Sequence, residues 1–171
     1  MTPVRDVQHS AAPAARRALA QNAPAPKRNF DVKSPLPSLP WDQLAQAARA
    51  ARERAYAPYS HFSVGAALLD EQGRIHVGCN VENAAYPQGL CAEAVALGQL
   101  VLSGGTRVLA ALVVGEAAQP VTPCGGCRQK LREFAADDTP VWSADRHAIT
   151  ACHTLGALLP ASFGPDHLGR S

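Results

Sequence analysis

A chain of 171 residues is long enough for one domain that buries its own hydrophobic core without disulfide bonds. Hydrophobic residues make up 47%, charged residues 18% and aromatic residues 5%, which is typical of a globular protein, and no apolar run is long enough to span a bilayer. The net charge is +2, but residues 1–40 carry six cations against two acidic side chains, a balance of +4 that leaves −2 for the remainder. This mildly acidic remainder argues against a nucleic-acid-binding face.

The first forty residues differ from the rest in composition. They hold seven of the fourteen prolines and show no sustained hydrophobic period. We therefore predict a disordered, Ala- and Pro-rich extension over residues 1–40 and a folded domain over residues 41–171. The five cysteines, an odd number, and the lack of a signal segment at the start favour reduced thiols in the cytoplasm over a secreted disulfide framework.

A helix and a hairpin are predicted in the first half of the domain. "WDQLAQAARAARERAYAPYS" has an apolar stripe at helical spacing and stops before Pro58. The short β-rich runs "HFSVGAALLD" and "GRIHVGCNVEN" are separated by "EQG", which is typical of a hairpin.

The second half alternates helices and strands. Residues 89–104 read as a buried helix ended by glycines, and the apolar run 108–115 as a strand covered on both faces. A helix is predicted in "CGGCRQKLREFAADD", closing strands in "PVWSAD" and "HAITACHT", and a last short helix in "LGALLPASF", stopped by Pro160. This order predicts a layered α/β domain with helices on both faces of a mixed sheet.

Cysteines stand where strands are followed by helices. Cys91 opens the helix of residues 89–104, and Cys124 and Cys127 open the next one. Helix N-termini stabilise thiolates, and three thiolates around Zn²⁺ leave a fourth, open position that is typical of a catalytic zinc. Glu93, two residues after Cys91, is a candidate proton carrier that does not ligate the metal. Together these residues match the three-cysteine version of the zinc nucleobase deaminase signature.

Five segments, "YSHFSVGAAL", "GCNVENAAYP", "CAEAVAL", "PCGGCRQ" and "LLPASF", occur in the order found in the small tetrameric cytidine deaminases, and the chain resembles this family over roughly residues 41–165. The resemblance implies the cytidine-deaminase-like fold, a three-layer α/β/α domain with a mixed five-stranded sheet. It implies zinc-dependent hydrolytic deamination of cytidine and 2′-deoxycytidine in pyrimidine salvage by a homotetramer, without an organic cofactor. A free nucleoside substrate also agrees with the absence of basic tracts.

The resemblance also implies roles for individual residues. Cys91, Cys124 and Cys127 would ligate Zn²⁺, and Glu93 would carry protons from the attacking water to ring N3 and then to the departing amine. The substrate contacts would come from Phe62 against the pyrimidine, Asn80 and Glu82 at the ribose 3′-hydroxyl, Ala92 at the base, and Tyr86 and Phe163 across subunit contacts. Many relatives carry Arg directly after the catalytic Glu, where this chain has Ala94; Arg128 and the two helix N-termini are our candidates to offset the charge of the thiolates.

Other interpretations of these residues are open at this stage. "CGGC" is compatible with a thioredoxin-like dithiol, and Cys79 could close a structural zinc site, although its strand parity, opposite to that of Asn80 and Glu82, points it away. Asn80 and Glu82 could cap a turn, and Phe62 and Phe163 could be ordinary packing residues. Cys79 and Cys152 are expected to be buried small side chains. Another aminated ring, such as that of the antibiotic blasticidin S, is the alternative substrate.

Overall fold

The structure of the chain is a computed structural model that describes residues 39–169. The predicted extension of residues 1–40 therefore lies outside the described residues, apart from its last two. Within residues 39–169, no helix is long and apolar enough to cross a membrane.

A single mixed sheet forms the middle layer of the domain. The five strands lie in the order β2-β1-β3-β4-β5, and only β3 and β4 pair in parallel. The strands are β1 Gly65–Asp70, β2 Ile75–Cys79, β3 Val108–Val114, β4 Pro140–Ala144 and β5 Ile149–Thr154. The helices are α1 Trp41–Arg52, α2 Ala92–Leu102, α3 Gly125–Arg132 and α4 Leu155–Leu158, with 3₁₀ turns at Tyr86–Gln88 and Pro165–Leu168.

The helices cover both faces of the sheet, which confirms the predicted three-layer α/β/α architecture. Along β1, Ala67 and Leu69 face α1, whereas Ala66 and Leu68 face the side covered by α2, α3 and α4. Successive side chains of a strand point to opposite faces, so two cores require an apolar residue at every position. This explains why β3 and residues 66–69 of β1 are continuous apolar runs.

The hairpin of β1 and β2 is fixed at its turn by Asp70, which is fully buried. Its carboxylate accepts hydrogen bonds from the backbone N–H groups of Gln72 and Arg74, from Arg74 Nε at 2.7 Å and from His76 Nε2 at 2.8 Å. Arg74 Nη1 also donates to the carbonyl of Ser103, just beyond α2. The turn is thereby tied to the C-terminal end of α2.

Close packing at a glycine sets the other end of α2. A Cβ on Gly78 of β2 would lie 2.2 Å from the carbonyl oxygen of Ala92 and 2.5 Å from the nitrogen of Ala96. Only a residue without a side chain lets the first turn of α2 rest on the strand at this distance. Gly78 thus fixes the distance between β2 and the first turn of α2, which carries Ala92 and Glu93.

Several boundaries differ from the sequence prediction. The strands predicted over residues 61–70 and 73–83 are shorter, because β1 begins at Gly65 and β2 ends at Cys79. Beyond these points Asn80 joins the two segments through its side chain in place of a regular ladder. The helix predicted over residues 124–138 ends at Arg132, although Phe134 still packs against the core, and α4 ends at Leu158, two residues before Pro160.

Candidate active site

Two helix N-termini carry the three cysteines of interest. Cys91 is the N-cap residue of α2 and Cys124 that of α3, and both have extended backbone conformations. Cys127 lies in the first turn of α3. The unpaired N–H groups and the helix dipole at both ends favour negative charge, so both sequence segments present sulfur where thiolates are stabilised.

The three sulfur atoms have the spacing of a metal site. All lie within 4.8 Å of one another, and the Sγ atoms of Cys91 and Cys124 are 3.8 Å apart. In a tetrahedral zinc site with Zn–S bonds near 2.3 Å, neighbouring sulfurs are about 3.8 Å apart. Cys127 is buried, whereas Cys91 and Cys124 are exposed. The donor set fits zinc, and three protein ligands leave one position of a tetrahedral ion open.

Electrostatics in the cluster give a second reason why a cation suits it. Burial, and then the charge of Cys124, raise the pKa of Cys91. Burial, together with the charges of Glu93 and the other two thiolates, raises the pKa of Cys127. Burial also acts to raise the pKa of Cys124, but hydrogen bonds with the backbone and thiol of Cys127 and with Cys91 outweigh it, so that this pKa is lowered. Three thiolates repel one another, and a divalent cation offsets this repulsion.

Glu93 lies beside the sulfur atom of Cys127. It is in the first turn of α2, is only 4% exposed, and accepts a hydrogen bond from Cys127 Sγ at 3.4 Å. Burial raises the pKa of this carboxyl group. A carboxyl group whose pKa is raised holds a proton more readily than an ordinary one, which suits a residue that accepts and returns protons in general acid/base catalysis.

A second group of predicted residues surrounds the loop between α1 and β1. The Asn80 side chain donates to the carbonyl of Phe62 and accepts from the N–H of Val64, both at 2.8 Å. The Glu82 carboxylate accepts from the N–H groups of Tyr59, at 2.8 Å, and of Ser60, and from the Ser60 hydroxyl. These bonds hold the loop, which is the structural role that the sequence also allowed for Asn80 and Glu82.

The same loop borders a pocket of about 320 Å³. Its lining residues are Tyr59, Ser60, Glu82, Asn83, Tyr86 and Gly89. The Ser60 hydroxyl and the Tyr59 amide hold the pKa of Glu82 below its usual value, so a charged carboxylate lines the pocket.

The comparisons with known proteins agree with this site. A family model described as the cytidine and deoxycytidylate deaminase zinc-binding region matches residues 41–143. The chain is 42% identical to the cytidine deaminase of Sporosarcina psychrophila over 127 residues, which are 74% of this chain and 93% of that relative. It is 41% identical to the cytidine deaminase of Mycobacterium tuberculosis over 135 residues, 79% of this chain and 98% of that relative.

The chain belongs to the cytidine and deoxycytidylate deaminase family. The crystal structure of cytidine deaminase from Burkholderia pseudomallei matches its fold with a TM-score of 0.68 and 43% identity, over 71% of this chain and 98% of that one. The resemblance stated from the sequence is thus confirmed, as is the predicted fold.

Family membership and geometry together decide two of the alternatives. A thioredoxin-like dithiol does not account for Cys91 and Glu93, which complete the deaminase signature beside Cys124 and Cys127. A structural site closed by Cys79 is also wrong, because its sulfur donates to the carbonyl of Arg54, at 3.5 Å, away from the cluster.

The remaining predicted substrate residues occupy different surroundings. Ala92 is fully buried in the first turn of α2, beside Glu93. Phe62, at 38% exposed, is no ordinary core residue, and Tyr86 and Phe163 are 76% and 58% exposed. Their roles toward a substrate stay predictions. Cys152 was expected to be buried but is exposed on β5, where only every second side chain can face the core.

Arg128 holds the chain that leads into Cys124. Its guanidinium donates to the carbonyl of Pro123 at 2.7 Å, to the carbonyl of Leu158 at 2.9 Å and to the Thr122 hydroxyl at 2.9 Å. These bonds fix the junction between the loop and α3. The predicted compensation of thiolate charge by Arg128 stays a prediction.

Reasoning from the sequence missed three polar residues of α3. Lys130 lies one turn after Cys127, close enough to Glu93 that its charge partly opposes the effect of burial on that pKa. Its spacing of three residues from Cys127 was a signal for this position. Gln129 and Arg132 bind the segment that carries Phe163, and no local pattern predicts such a contact across about thirty residues.

Proposed function

We propose that the protein is a zinc-dependent cytidine deaminase that converts cytidine and 2′-deoxycytidine, with water, into uridine and 2′-deoxyuridine plus ammonia. The observation that carries this proposal is the convergence of three cysteine sulfurs within 4.8 Å of one another on a buried glutamate. Membership of the family supports the same activity. Zinc held by Cys91, Cys124 and Cys127 would supply the Lewis acidity that activates the attacking water.

Glu93 performs the proton transfers in this proposal. It takes one proton from the attacking water and delivers it to ring N3 as the water oxygen adds to C4. It then takes the remaining proton of that oxygen and passes it to the amino group, which leaves as ammonia as the C4–N bond breaks and the C4 carbonyl forms. Its burial beside Cys127 keeps it away from bulk water and raises its pKa, which suits a group that must both accept and donate protons.

The loop at Glu82 and Asn80 binds the nucleoside. Phe62 packs against the pyrimidine, Asn80 and Glu82 hydrogen-bond the ribose 3′-hydroxyl, and Ala92 offers backbone groups to the base. Their hydrogen bonds to the loop leave one N–H of the Asn80 amide and further lone pairs of the Glu82 carboxylate for a sugar hydroxyl. The charged Glu82 at the pocket supports this role.

Assembly into a homotetramer would complete the sites in this proposal. Tyr86 and Phe163 are large aromatic side chains that are more than half exposed, an arrangement that favours burial against another subunit. Each would contribute to a neighbouring site. Sedimentation analysis at working concentration tests the assembly, and a monomer with full activity would contradict it.

Two further parts of the proposal concern Arg128 and the setting of the enzyme. The Arg128 guanidinium, one residue from Cys127, offsets thiolate charge in place of the arginine that Ala94 replaces.

A reducing compartment, which we propose to be the cytoplasm, keeps the three free thiols available for zinc. The substrate is a free nucleoside rather than a nucleic acid, and residues 41–171 are the catalytic domain.

The decisive experiment measures the absorbance change when cytidine is added to the purified full chain, with zinc assayed on the same sample. We expect loss of the cytidine band and about one zinc per chain, because residues 39–169 hold one cluster of three cysteines. Glu93→Gln should abolish turnover while zinc stays bound. Glu133→Gln, the same change at the exposed C-cap position just after α3, is the matched control and should keep full activity.

Each other outcome points elsewhere. If the protein binds zinc and deaminates neither nucleoside but does deaminate another aminated ring, that ring is the substrate. A protein without zinc that reduces disulfides would overturn the proposal in favour of the dithiol. Retention of activity by Glu93→Gln would remove Glu93 from its role.

A further inference from the structure

The C-terminal segment, residues 159–169, carries Phe163 but has almost no hydrophobic anchoring of its own. Gly164 is the one buried residue between positions 161 and 169, and Leu168 is largely exposed. The aromatic ring of Phe163 touches the ring of His167, with centroids 4.9 Å apart. A segment with so little buried apolar surface needs other contacts to keep a fixed conformation.

Arg132, the last residue of α3, supplies those contacts on both sides of Phe163. Its Nε donates to the Ser162 hydroxyl at 3.1 Å, and its Nη2 donates to Asp166 Oδ1 at 2.7 Å. A second carboxylate, that of Asp137, lies 3.5 Å from Nε. The Arg132 side chain is only 16% exposed, so these charged hydrogen bonds are partly shielded from water.

The backbone at Phe163 is held just as closely. Gln129 Nε2 donates to the carbonyl of Phe163 at 2.9 Å. A Cβ on Gly164 would lie 2.5 Å from the guanidinium carbon of Arg132, so the guanidinium packs directly on the backbone next to Phe163. Four of the five positions from 162 to 166, all except 165, are therefore hydrogen-bonded to or packed on one arginine and one glutamine.

We propose that Arg132, assisted by Gln129, is a positioning residue that fixes Phe163 for substrate binding. This inference rests on the proposed function, in which Phe163 completes a neighbouring nucleoside site. The same helix carries zinc ligands at its N-terminal end and Arg132 at its C-terminal end, so α3 orients an aromatic side chain for the next site while it builds its own. Loss of the contact should weaken substrate binding and leave the chemical step unchanged.

The test compares steady-state kinetics of the full chain with cytidine for Arg132→Gln, Asp166→Asn and Phe163→Ala. We expect Arg132→Gln and Asp166→Asn to raise KM roughly three- to tenfold with kcat within about twofold, because a charge-assisted hydrogen bond is lost far from the reacting atoms. Arg132→Lys, which keeps the charge but loses the fork geometry, should restore part of the effect. Zinc content and assembly size should not change.

A double-mutant cycle separates positioning from a direct role. If Arg132 acts through Phe163, Arg132→Gln in the Phe163→Ala background should raise KM no further than Phe163→Ala alone. An additive effect would overturn the inference. Arg146→Gln, which breaks an exposed ion pair with Glu116 elsewhere on the surface, is the control and should leave KM unchanged.

Failure of the inference and failure of the proposed function are distinguishable. If Phe163→Ala raises KM but the Arg132 and Asp166 variants do not, the positioning role is wrong and the role of Phe163 stands. If Phe163→Ala leaves KM unchanged, the proposed role of Phe163 falls, and the positioning role with it. If Arg132→Gln does not fold, Asp166→Asn and Gln129→Leu carry the same comparison.

Discussion

The cysteine centre and the nucleoside loop are built by different means. The centre consists of Cys91, Glu93, Cys124 and Cys127. These residues lie at the N-terminal ends of α2 and α3, whose inner faces pack in the core. The loop around Tyr59 to Val64 is held from outside the core, by the side chains of Asn80 and Glu82 on its backbone groups. Damage to packing should therefore remove the metal, whereas damage to the polar contacts of the loop should weaken substrate binding and leave the metal in place.

The largest loss of stability is expected at Gly78, where close packing of β2 on α2 fixes the position of the cysteine centre. Gly78→Ala places a Cβ 2.2 Å from the carbonyl oxygen of Ala92, in the first turn of α2, where neither strand nor helix can yield cheaply. We expect a loss of stability of about 3 kcal/mol or more and weaker zinc retention, because overpacking displaces Cys91 and Glu93. Chemical denaturation and the rate of zinc transfer to a chromophoric chelator measure the two effects.

Gly98→Ala is the matched control for that change. Gly98 lies within α2, and a Cβ there meets nothing within 4 Å. Replacement should stabilise the protein by about 0.5 to 1 kcal/mol, because alanine favours the helix. Equal effects of the two substitutions would show that close approach at Gly78 does not set the position of α2.

A smaller effect, confined to substrate binding, is expected in the loop. Glu82→Gln removes the charged acceptor that faces the pocket and holds the Tyr59 and Ser60 amides. We expect KM for cytidine to rise roughly ten- to a hundredfold with zinc content unchanged, since a charged hydrogen bond to the sugar is lost. Steady-state kinetics and a metal assay on one sample measure both.

Glu71 is a matched control, because its carboxylate binds a loop in the same way at the opposite end of the sheet. Its carboxylate accepts from the N–H groups of Thr106 and Arg107 and from the Thr106 hydroxyl, much as Glu82 does at Ser60. Glu71→Gln should leave KM unchanged. If both substitutions raise KM alike, the effect of Glu82→Gln is structural, and Glu82 does not bind the substrate.

The sequence allowed the centre to be predicted far better than the loop. Cys91 and Cys124 are set by local rules, because each is the N-cap residue of a helix, and Glu93 follows Cys91 in the first turn of α2. Asn80 and Glu82 were predicted at the end of a strand, but β2 ends before them. Their side chains instead hydrogen-bond the backbone of residues 59–64, a tertiary contact that the local sequence does not reveal. Arg132 meets the residues on either side of Phe163 for a similar reason, because its contacts with Ser162 and Asp166 join parts of the chain that no periodicity connects.

The smallest effect on the enzyme is expected for a substitution of Asp70, which belongs to neither the cysteine centre nor the nucleoside loop. Burial acts to raise its pKa, but hydrogen bonds from His76, Arg74 and Gln72 outweigh it and hold the pKa well below the usual value near 3.8. The unfolded chain therefore binds the proton more tightly, so the stability that Asp70 contributes is full well above pH 4 and is lost as the pH falls below it. Asp70→Asn should cost about 1 to 2 kcal/mol at pH 7 through lost charge-assisted hydrogen bonds and should flatten the loss of stability between about pH 5 and pH 3. Urea denaturation across this range measures it; kcat and KM at pH 7 should stay unchanged, because the Asp70 turn is tied to the end of α2 remote from Cys91. An acid dependence identical in wild type and variant would show that another carboxylate is responsible.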